Sequence, residues 1–142
     1  YRWRFMTELK KISVLYVEDD DFIRENTCEL LKSIFKDVFV AKNGKEGVYA
    51  YNQHSKEVSA IITDVNMPEL SGLEMAKVIN KMKQKLNTDT PIIAVSAYSC
   101  EDYGFSEIQE NFSHYLKKPI KIKDLITSVD MAMKGERGKG CE

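Results

Sequence analysis

The chain has 142 residues, with 21 basic and 22 acidic residues and a formal net charge of −1. This length suits one domain, which can bury roughly two-thirds of its unfolded surface. The near-neutral charge creates no strong field towards nucleic acid or an anionic membrane, so we expect this domain to bind neither directly. No apolar run approaches the ~20 residues that span a bilayer.

The cysteines and the N-terminus bear on the compartment. The chain contains three cysteines, Cys28, Cys100 and Cys141. Their odd number and the lack of CxxC spacing predict neither a disulfide framework nor a zinc site and favour a reducing cytoplasm. The start of the chain lacks an apolar signal-peptide region. We interpret residues 1–5 as a remnant of cloning before a natural start at Met6; the alternative is a basic-aromatic docking arm.

Five short β-type runs alternate with stretches of helical period. The runs begin near Ser13, Asp37, Ala60, Pro91 and Ser113. Each interval has room for a strand, a loop and a helix, so the rhythm predicts a βα repeat with a parallel sheet. The first, third and fourth runs are nearly continuous in apolar residues, which is typical of central strands covered on both faces. We therefore expect an α/β fold with a doubly wound, five-stranded parallel sheet and five helices.

Apolar stripes at helical spacing lie between the strands, and we interpret them as core. The stripe after the first run is Ile23, Thr27, Leu30 and Ile34. The stripe after the third run is Leu73, Ala76, Ile79, Met82 and Leu86, and the stripe after the fifth run is Ile122, Leu125, Ile126, Val129 and Met133. Asp20 or Asp21 is predicted to cap the first helix. Asn43-Gly44 predicts a turn after the second strand. The stretch 98–112 has no clean stripe, which predicts a short or frayed helix.

These patterns set the expected domain limits. Residues 1–11 form an N-terminal tail, and residues 12–134 form the domain. Residues 135–142 are polar and glycine-rich, so we expect a disordered tail or the start of a linker.

Charged or hydroxyl side chains directly follow four of the five runs: Glu18 and Asp19, Asp64, Ser96, and Lys118. The carboxyl ends of parallel strands meet at one edge of a sheet. With the order 2-1-3-4-5, a common doubly wound order not deduced from this sequence, the first and third strands are neighbours. Three crowded acids would repel each other by several kcal/mol, which points to a bound divalent metal, with Lys118 free for an anion.

Chemistry follows from this grouping. A set of oxygen ligands alone suits Mg²⁺. A carboxylate such as Asp64 is a known type of nucleophile that forms an aspartyl-phosphate. Lys118 would hold a phosphoryl oxygen as a point charge, and the Ser96 hydroxyl would donate to another. Phosphoryl transfer needs little beyond positioning and charge stabilisation, so this small set is sufficient.

The chain resembles the receiver domain of bacterial two-component response regulators over about residues 12–134. The motifs are Glu18-Asp19, Asp64 with Val65-Asn66-Met67-Pro68, Gly72, Ser96-Ala97, Tyr115 and Lys118-Pro119. Each is weak alone, but in this order and spacing they are highly specific. The resemblance implies the flavodoxin-like receiver fold and a cytoplasmic signalling switch rather than an enzyme, with Mg²⁺-dependent self-phosphorylation and self-dephosphorylation.

The resemblance also implies a role for each matched residue. Asp64 is the phospho-acceptor, and Lys118 contacts the phosphoryl group. Asp19 and Asp64 ligate Mg²⁺ together with the backbone carbonyl of Asn66, while Glu18 acts through a bound water.

Two further residues are implied to move. Ser96 is the switch hydroxyl, and Tyr115 is the aromatic that swings inward with it. The peptide before Pro119 is expected to be cis. The implied phosphodonor is a sensor histidine kinase or a phosphotransfer protein, and the output is an unknown downstream protein or a fused domain, read from the surface of the fourth and fifth helices.

Two alternatives have weaker support. A haloacid-dehalogenase-like phosphatase carries two aspartates flanking one residue, and Asp64-Val65-Asn66 lacks the second. A flavodoxin-like nucleotide or flavin binder needs a Ser/Thr/Gly-rich loop after the first strand, but residues 18–21 are acidic and repel phosphate. His54 and His114 have no partner at ligand spacing, so we assign them no metal role.

Overall fold

Five parallel strands form one sheet in the order β2-β1-β3-β4-β5, which confirms the predicted doubly wound fold. The computed structural model describes residues 8–138. The strands are β1 (Ser13–Val17), β2 (Asp37–Ala41), β3 (Val58–Asp64), β4 (Ile92–Ser96) and β5 (His114–Lys117). The helices are α1 (Asp21–Lys32), α2 (Gly44–His54), α3 (Gly72–Leu86), α4 (Phe105–Asn111) and α5 (Ile122–Met133).

The sheet separates two apolar clusters. Side chains of a strand alternate between its faces, so Leu15 and Val17 of β1 join one cluster while Val14 and Tyr16 join the other. Helices α2, α3 and α4 cover the first face, and α1 and α5 cover the second. Every residue of β1 and β4 is buried, as predicted for central strands.

Side-chain caps begin three of the helices. Asp20 accepts a hydrogen bond from the Ile23 N–H at 2.9 Å and caps α1, one of the two predicted caps. Asn43 accepts from the Glu46 N–H in the same way, so the chain bends at Asn43 after the second strand, as predicted, and α2 begins at Gly44. Helix α3 begins with a reciprocal capping box between Ser71 and Glu74.

The apolar stripe on α1 is not core along its whole length. Ile34 and the neighbouring Leu31 are buried, but Ile23 and Leu30 are 39% and 48% exposed. Ile23, Thr27 and Leu30 instead line a cavity of about 460 Å³ between α1 and the segment that follows β5. The interpretation of this stripe as core is therefore wrong for Ile23 and Leu30 and holds for Ile34.

The weakest predicted helix is short, as expected. A 3₁₀ turn at Cys100–Asp102 precedes α4, which has 7 residues.

Cys100 is disulfide-bonded and Cys28 is a free thiol, so the expectation of no disulfide is wrong. Within the described part of the chain, no helix is long and apolar enough to cross a membrane.

The segment after α5 folds back onto β5. The Gly138 N–H donates to the Ser113 carbonyl at 3.4 Å, and the Arg137 guanidinium donates to the Gln109 carbonyl. Residues 1–7, including the proposed cloning remnant, and residues 139–142 lie outside the described residues. The domain limits at residues 11/12 and 134/135 therefore stay predictions.

Candidate functional site

The strand register carries the predicted side chains to one edge of the sheet. Val17 at the end of β1 pairs with Thr63 of β3, so the residues that follow each strand are neighbours. Asp64 pairs with Val95 of β4, which places Ser96 next to it along the edge. Ser96 in turn pairs with Lys117 of β5, so Lys118 follows on the far side.

Three carboxylates meet at this edge. One oxygen atom from each of Glu18, Asp19 and Asp64 lies within 4.8 Å of the others. Glu18 and Asp64 are only 2% and 7% exposed. Burial, followed by a hydrogen bond that the protonated Asp19 carboxyl donates to Glu18, raises the pKa of Asp19. Burial and the neighbouring acid therefore disfavour the third negative charge, which is the electrostatic condition that a cation relieves.

Lys118 compensates one of these charges. Its Nζ lies 3.1 Å from Glu18 Oε1 and 3.4 Å from Asp64 Oδ2. Burial acts to lower the pKa of Lys118, but the charges of Asp64 and Glu18 outweigh burial and leave the pKa raised. The ammonium therefore stays charged beside Asp64. The Lys118 backbone N–H donates to the Ser96 carbonyl at 2.7 Å, and the Lys118–Pro119 peptide is cis, as expected.

The donor set fits Mg²⁺. Three carboxylates and one ammonium leave an excess of two negative charges, and all the available ligand atoms in the cluster are oxygens. A hard divalent ion with a preference for oxygen matches both properties. The Asn66 carbonyl belongs to the turn directly after Asp64, where the Asn66 N–H donates to Asp64 Oδ1 at 3.3 Å.

Gly72 lets helix α3 approach the back of Asp64. A Cβ atom at residue 72 would lie 2.1 Å from the Asp64 carbonyl oxygen and 2.9 Å from Val65 Cα. The Gly72 N–H instead donates to the Val65 carbonyl at 2.8 Å. Only glycine fits this contact. Gly72, one of the motif residues in the sequence, therefore fixes the position of the backbone behind the site.

Hydroxyl groups form the other half of the edge. Ser96 is fully buried, and its Oγ accepts from the Tyr98 N–H at 3.1 Å and shares a hydrogen bond of 3.0 Å with the Tyr103 hydroxyl. The Tyr115 hydroxyl donates to the Tyr98 carbonyl at 2.6 Å. Burial raises the pKa of both Tyr103 and Tyr115, so both phenols stay protonated at neutral pH.

Tyr103 is the site residue that sequence reasoning missed. In the sequence it was one apolar member of a stretch without a clean helical stripe. Its hydroxyl reaches Ser96 only because the 3₁₀ turn at Cys100–Asp102 bends the chain back, and no spacing rule announces such a turn. The structure thus brings together Glu18, Asp19, Asp64 and Lys118 as predicted. The Ser96 hydroxyl bonds to Tyr103, and the nearby Tyr115 hydroxyl donates to the Tyr98 carbonyl. The roles of these residues remain predictions.

Comparison with known proteins agrees with this geometry. The family model described as the response regulator receiver domain matches residues 14–130. The transcriptional regulatory protein CrdR of Helicobacter pylori is 34% identical over 82% of the chain and 51% of its own length. The first curated relatives that the chain matches are longer still, and it spans only 8% to 31% of their lengths.

Two solved structures share the fold. The receiver domain of the Arabidopsis thaliana histidine kinase CKI1, complexed with Mg²⁺ and BeF₃⁻, is 25% identical with a TM-score of 0.75, over 94% of this chain and 96% of that one. A co-crystal structure of the Saccharomyces cerevisiae histidine phosphotransfer protein Ypd1 with the receiver domain of Ssk1 matches with 25% identity and a TM-score of 0.75. That match covers 88% of this chain and 93% of the solved one.

Proposed function

Because the chain belongs to the response regulator receiver domain family, we propose that Asp64 accepts a phosphoryl group and that this modification switches the domain between two conformations in two-component signalling. The proposal rests on the close approach of the buried Asp64 carboxylate to two further acids and to Lys118 at one edge of the sheet. The donor is the phosphohistidine of a sensor histidine kinase or phosphotransfer protein. The proposal places this reaction in the cytoplasm.

The transfer step uses groups that the site already holds. A carboxylate oxygen of Asp64 attacks the phosphorus atom, and the P–N bond of the donor breaks with its electron pair going to the nitrogen. A proton from solvent on the ring lets the imidazole leave as a neutral base. Lys118 supports this step, because its ammonium lies 3.4 Å from Asp64 Oδ2 and can form an ion pair with a phosphoryl oxygen once that group is attached.

Glu18, Asp19 and Asp64, with the backbone carbonyl of Asn66, would hold Mg²⁺. The ion would neutralise carboxylate and phosphoryl charge during transfer. The proposal includes Mg²⁺-dependent self-phosphorylation from a small phosphodonor and self-dephosphorylation, since the site needs no residue from a second protein. The buried position of Asp64 restricts the water that hydrolyses the acyl phosphate.

The conformational response starts at Ser96. Its hydroxyl would turn towards the phosphoryl group, and Tyr115 would follow, shifting a pre-existing equilibrium between two surfaces. The surface formed by α4, β5 and α5 would pass the signal to a downstream protein or a fused output domain. We propose no direct contact of this domain with nucleic acid.

An apolar patch beside the site suits the phosphodonor. Phe22 on α1 is 75% exposed, and Ile23 and Leu30 line a cavity of about 460 Å³ together with Lys118 and Pro119. Exposed apolar side chains grouped next to a reactive centre are typical of a protein-docking surface. A helix of the donor packed on this patch would bring its phosphohistidine close to Asp64. The match to a receiver domain solved with a phosphotransfer protein supports a donor of that class.

Labelling with a small acyl phosphate and Mg²⁺ tests the proposal. Intact-mass measurement should find one added phosphoryl group on the wild-type chain and none on Asp64→Ala. Asp64→Asn, which keeps the shape of the side chain, should also take none and guards against a folding defect. Asp89→Ala, at an exposed aspartate, is the matched control and should label normally. Labelling that persists in Asp64→Asn would reject the assignment.

A further inference from the structure

The Ser96 hydroxyl is engaged by two groups that lie on the side of the loop after β4. It accepts from the Tyr98 N–H at 3.1 Å and shares a 3.0 Å hydrogen bond with the Tyr103 hydroxyl. Among the described residues, no hydrogen bond joins Ser96 to Asp64. Both contacts fix the position of Oγ beside the loop, so a rotation of the Ser96 side chain that carries Oγ towards a group on Asp64 breaks them.

The Tyr103 side chain is itself held in place. Its backbone N–H donates to the Cys100 carbonyl at 3.0 Å and closes the 3₁₀ turn. Its ring meets the Tyr98 ring edge to face, with centroids 6.3 Å apart and an interplanar angle of 88°. The phenol is therefore aimed at Ser96 by a backbone contact and a ring contact in addition to its hydrogen bond with the serine.

The neighbouring aromatic has a different partner. The Tyr115 hydroxyl donates to the Tyr98 carbonyl at 2.6 Å, which is a short and well-formed bond. Tyr115 thus restrains the loop, whereas Tyr103 contacts the Ser96 side chain. Both phenols lie near Ser96, whose hydroxyl acts to lower the pKa of each, but Tyr103 forms the 3.0 Å hydrogen bond with Ser96 Oγ while Tyr115 gives its proton to the loop carbonyl.

We propose that Tyr103 is a positioning residue that holds the Ser96 hydroxyl away from Asp64 in the unmodified protein. This inference rests on the phosphorylation proposed above. A phosphoryl group on Asp64 must exchange the Tyr103–Ser96 hydrogen bond for a new one, so this bond opposes the modified conformation. Removing the phenol oxygen should therefore favour that conformation. Phenylalanine keeps the ring and its contact with Tyr98, so the substitution isolates the hydrogen bond.

Beryllium fluoride with saturating Mg²⁺ is a suitable probe, because it mimics the phosphoryl group and binds at equilibrium. Tyr103→Phe should lower the midpoint concentration of beryllium fluoride by about two- to tenfold, the range that one net hydrogen bond represents. Binding is followed by calorimetry or by NMR shifts. Thermal unfolding of the unmodified protein checks that the variant is folded. Tyr49→Phe, at a 68% exposed tyrosine on α2, is the matched control and should leave the midpoint unchanged.

A double-mutant cycle separates positioning from a general structural role. In a Ser96→Ala background, Tyr103→Phe should no longer change the midpoint, because the partner hydroxyl is gone. An equal shift in both backgrounds, or no shift in the wild-type background, overturns the inference while leaving phosphorylation intact. A wild-type chain that ignores beryllium fluoride in the presence of Mg²⁺ rejects the proposed function itself, and this inference with it.

Discussion

The two sides of the site are built differently. On the β1–β3 side, Glu18 and Asp64 follow directly from buried strands, and α3 packs against the Asp64 backbone through Gly72 with no room for a methyl group. On the β4–β5 side, Ser96 and Tyr115 also belong to strands of the sheet, but their hydroxyls bond to a loop that contains a single 3₁₀ turn. The charges are thus anchored to the sheet, while the hydroxyls are held by individual hydrogen bonds.

This difference matches the tasks of a chemical switch. Charges that bind a metal and a phosphoryl group must be in place before the reaction, because reorganising them would add to the barrier. Groups that report the reaction must have two arrangements of similar free energy. A hydrogen bond contributes a net free energy of about 1 kcal/mol, so one new contact of similar strength can shift the equilibrium to the other arrangement. Substitutions on the two sides should therefore differ in both size and kind.

The largest effect should come from Lys118→Met. Loss of the ammonium removes a preorganised charge beside Asp64, so labelling by a small acyl phosphate should slow by on the order of 10²-fold. Mg²⁺ should bind more tightly to the same variant, since the cation that offsets Glu18 and Asp64 is gone. Initial labelling rates and a Mg²⁺ titration measure the two effects.

Lys117→Met is the control for that substitution, because Lys117 is the exposed neighbour. It should leave both quantities close to wild type. If Lys118→Met weakened Mg²⁺ binding, the charged side would depend on lysine for its shape rather than for charge balance, and the anchored arrangement described above would be wrong.

Gly72→Ala should be the next largest. Its Cβ would lie 2.1 Å from the Asp64 carbonyl, so helix and strand must separate, at a loss of about 3 kcal/mol in the free energy of unfolding. Gly104→Ala tests the loop side, where a Cβ would meet nothing within 4 Å but the backbone has a φ of +92°. There the loss should be about 1 kcal/mol, from backbone conformation alone. Urea unfolding gives both values, and equal losses would remove the contrast.

A smaller effect is expected for Tyr115→Phe, which deletes the hydrogen bond to the Tyr98 carbonyl. The free energy of unfolding should fall by about 1 kcal/mol, while labelling of Asp64 should continue at a similar rate because no charged group changes. Tyr49→Phe, whose side chain is exposed, should show neither change. A loss of labelling comparable to that of Lys118→Met would mean that the hydroxyl side takes part in the chemistry.

The same contrast explains which features the sequence could predict. Strand ends of a parallel sheet converge whatever their side chains contact, so the positions of Glu18, Asp64 and Lys118 followed from the alternation of strands and helices. Loop conformation depends on local turns and tertiary contacts, so the bond between Tyr103 and Ser96 had no sequence signature.

Helix faces lie between these cases. Ile23 and Leu30 have the spacing of a buried stripe, yet they line a surface cavity. Apolar periodicity identifies a coherent face of α1, but the packing of the whole helix on the sheet decides which neighbouring row is covered. An apolar face meant for a partner has the same spacing as one meant for the core, so the two cannot be separated by pattern alone.

The last prediction concerns a buried polar group on the β4–β5 side that lacks the bonds of its neighbours. His114, the first residue of β5, is 3% exposed, and neither ring nitrogen has a hydrogen-bond partner among the described residues. Burial and then the charge of Arg137 lower the pKa of His114 from its ordinary value of 6.5. Below that pH the unfolded chain takes up a proton that the folded chain resists, so stability should fall as the pH drops.

Unfolding midpoints at pH 7.5 and pH 5 measure this dependence. The substitution His114→Leu should reduce the loss of stability at pH 5, because leucine has no group that binds a proton more readily in the unfolded chain than in the folded one. His54→Leu, at the other histidine, should retain the loss since His114 is intact. If His114→Leu and wild type lose equal stability on acidification, the ring accepts a proton within the fold. The β4–β5 side would then have a polar partner for it, and this strand would be held as firmly as the charged side.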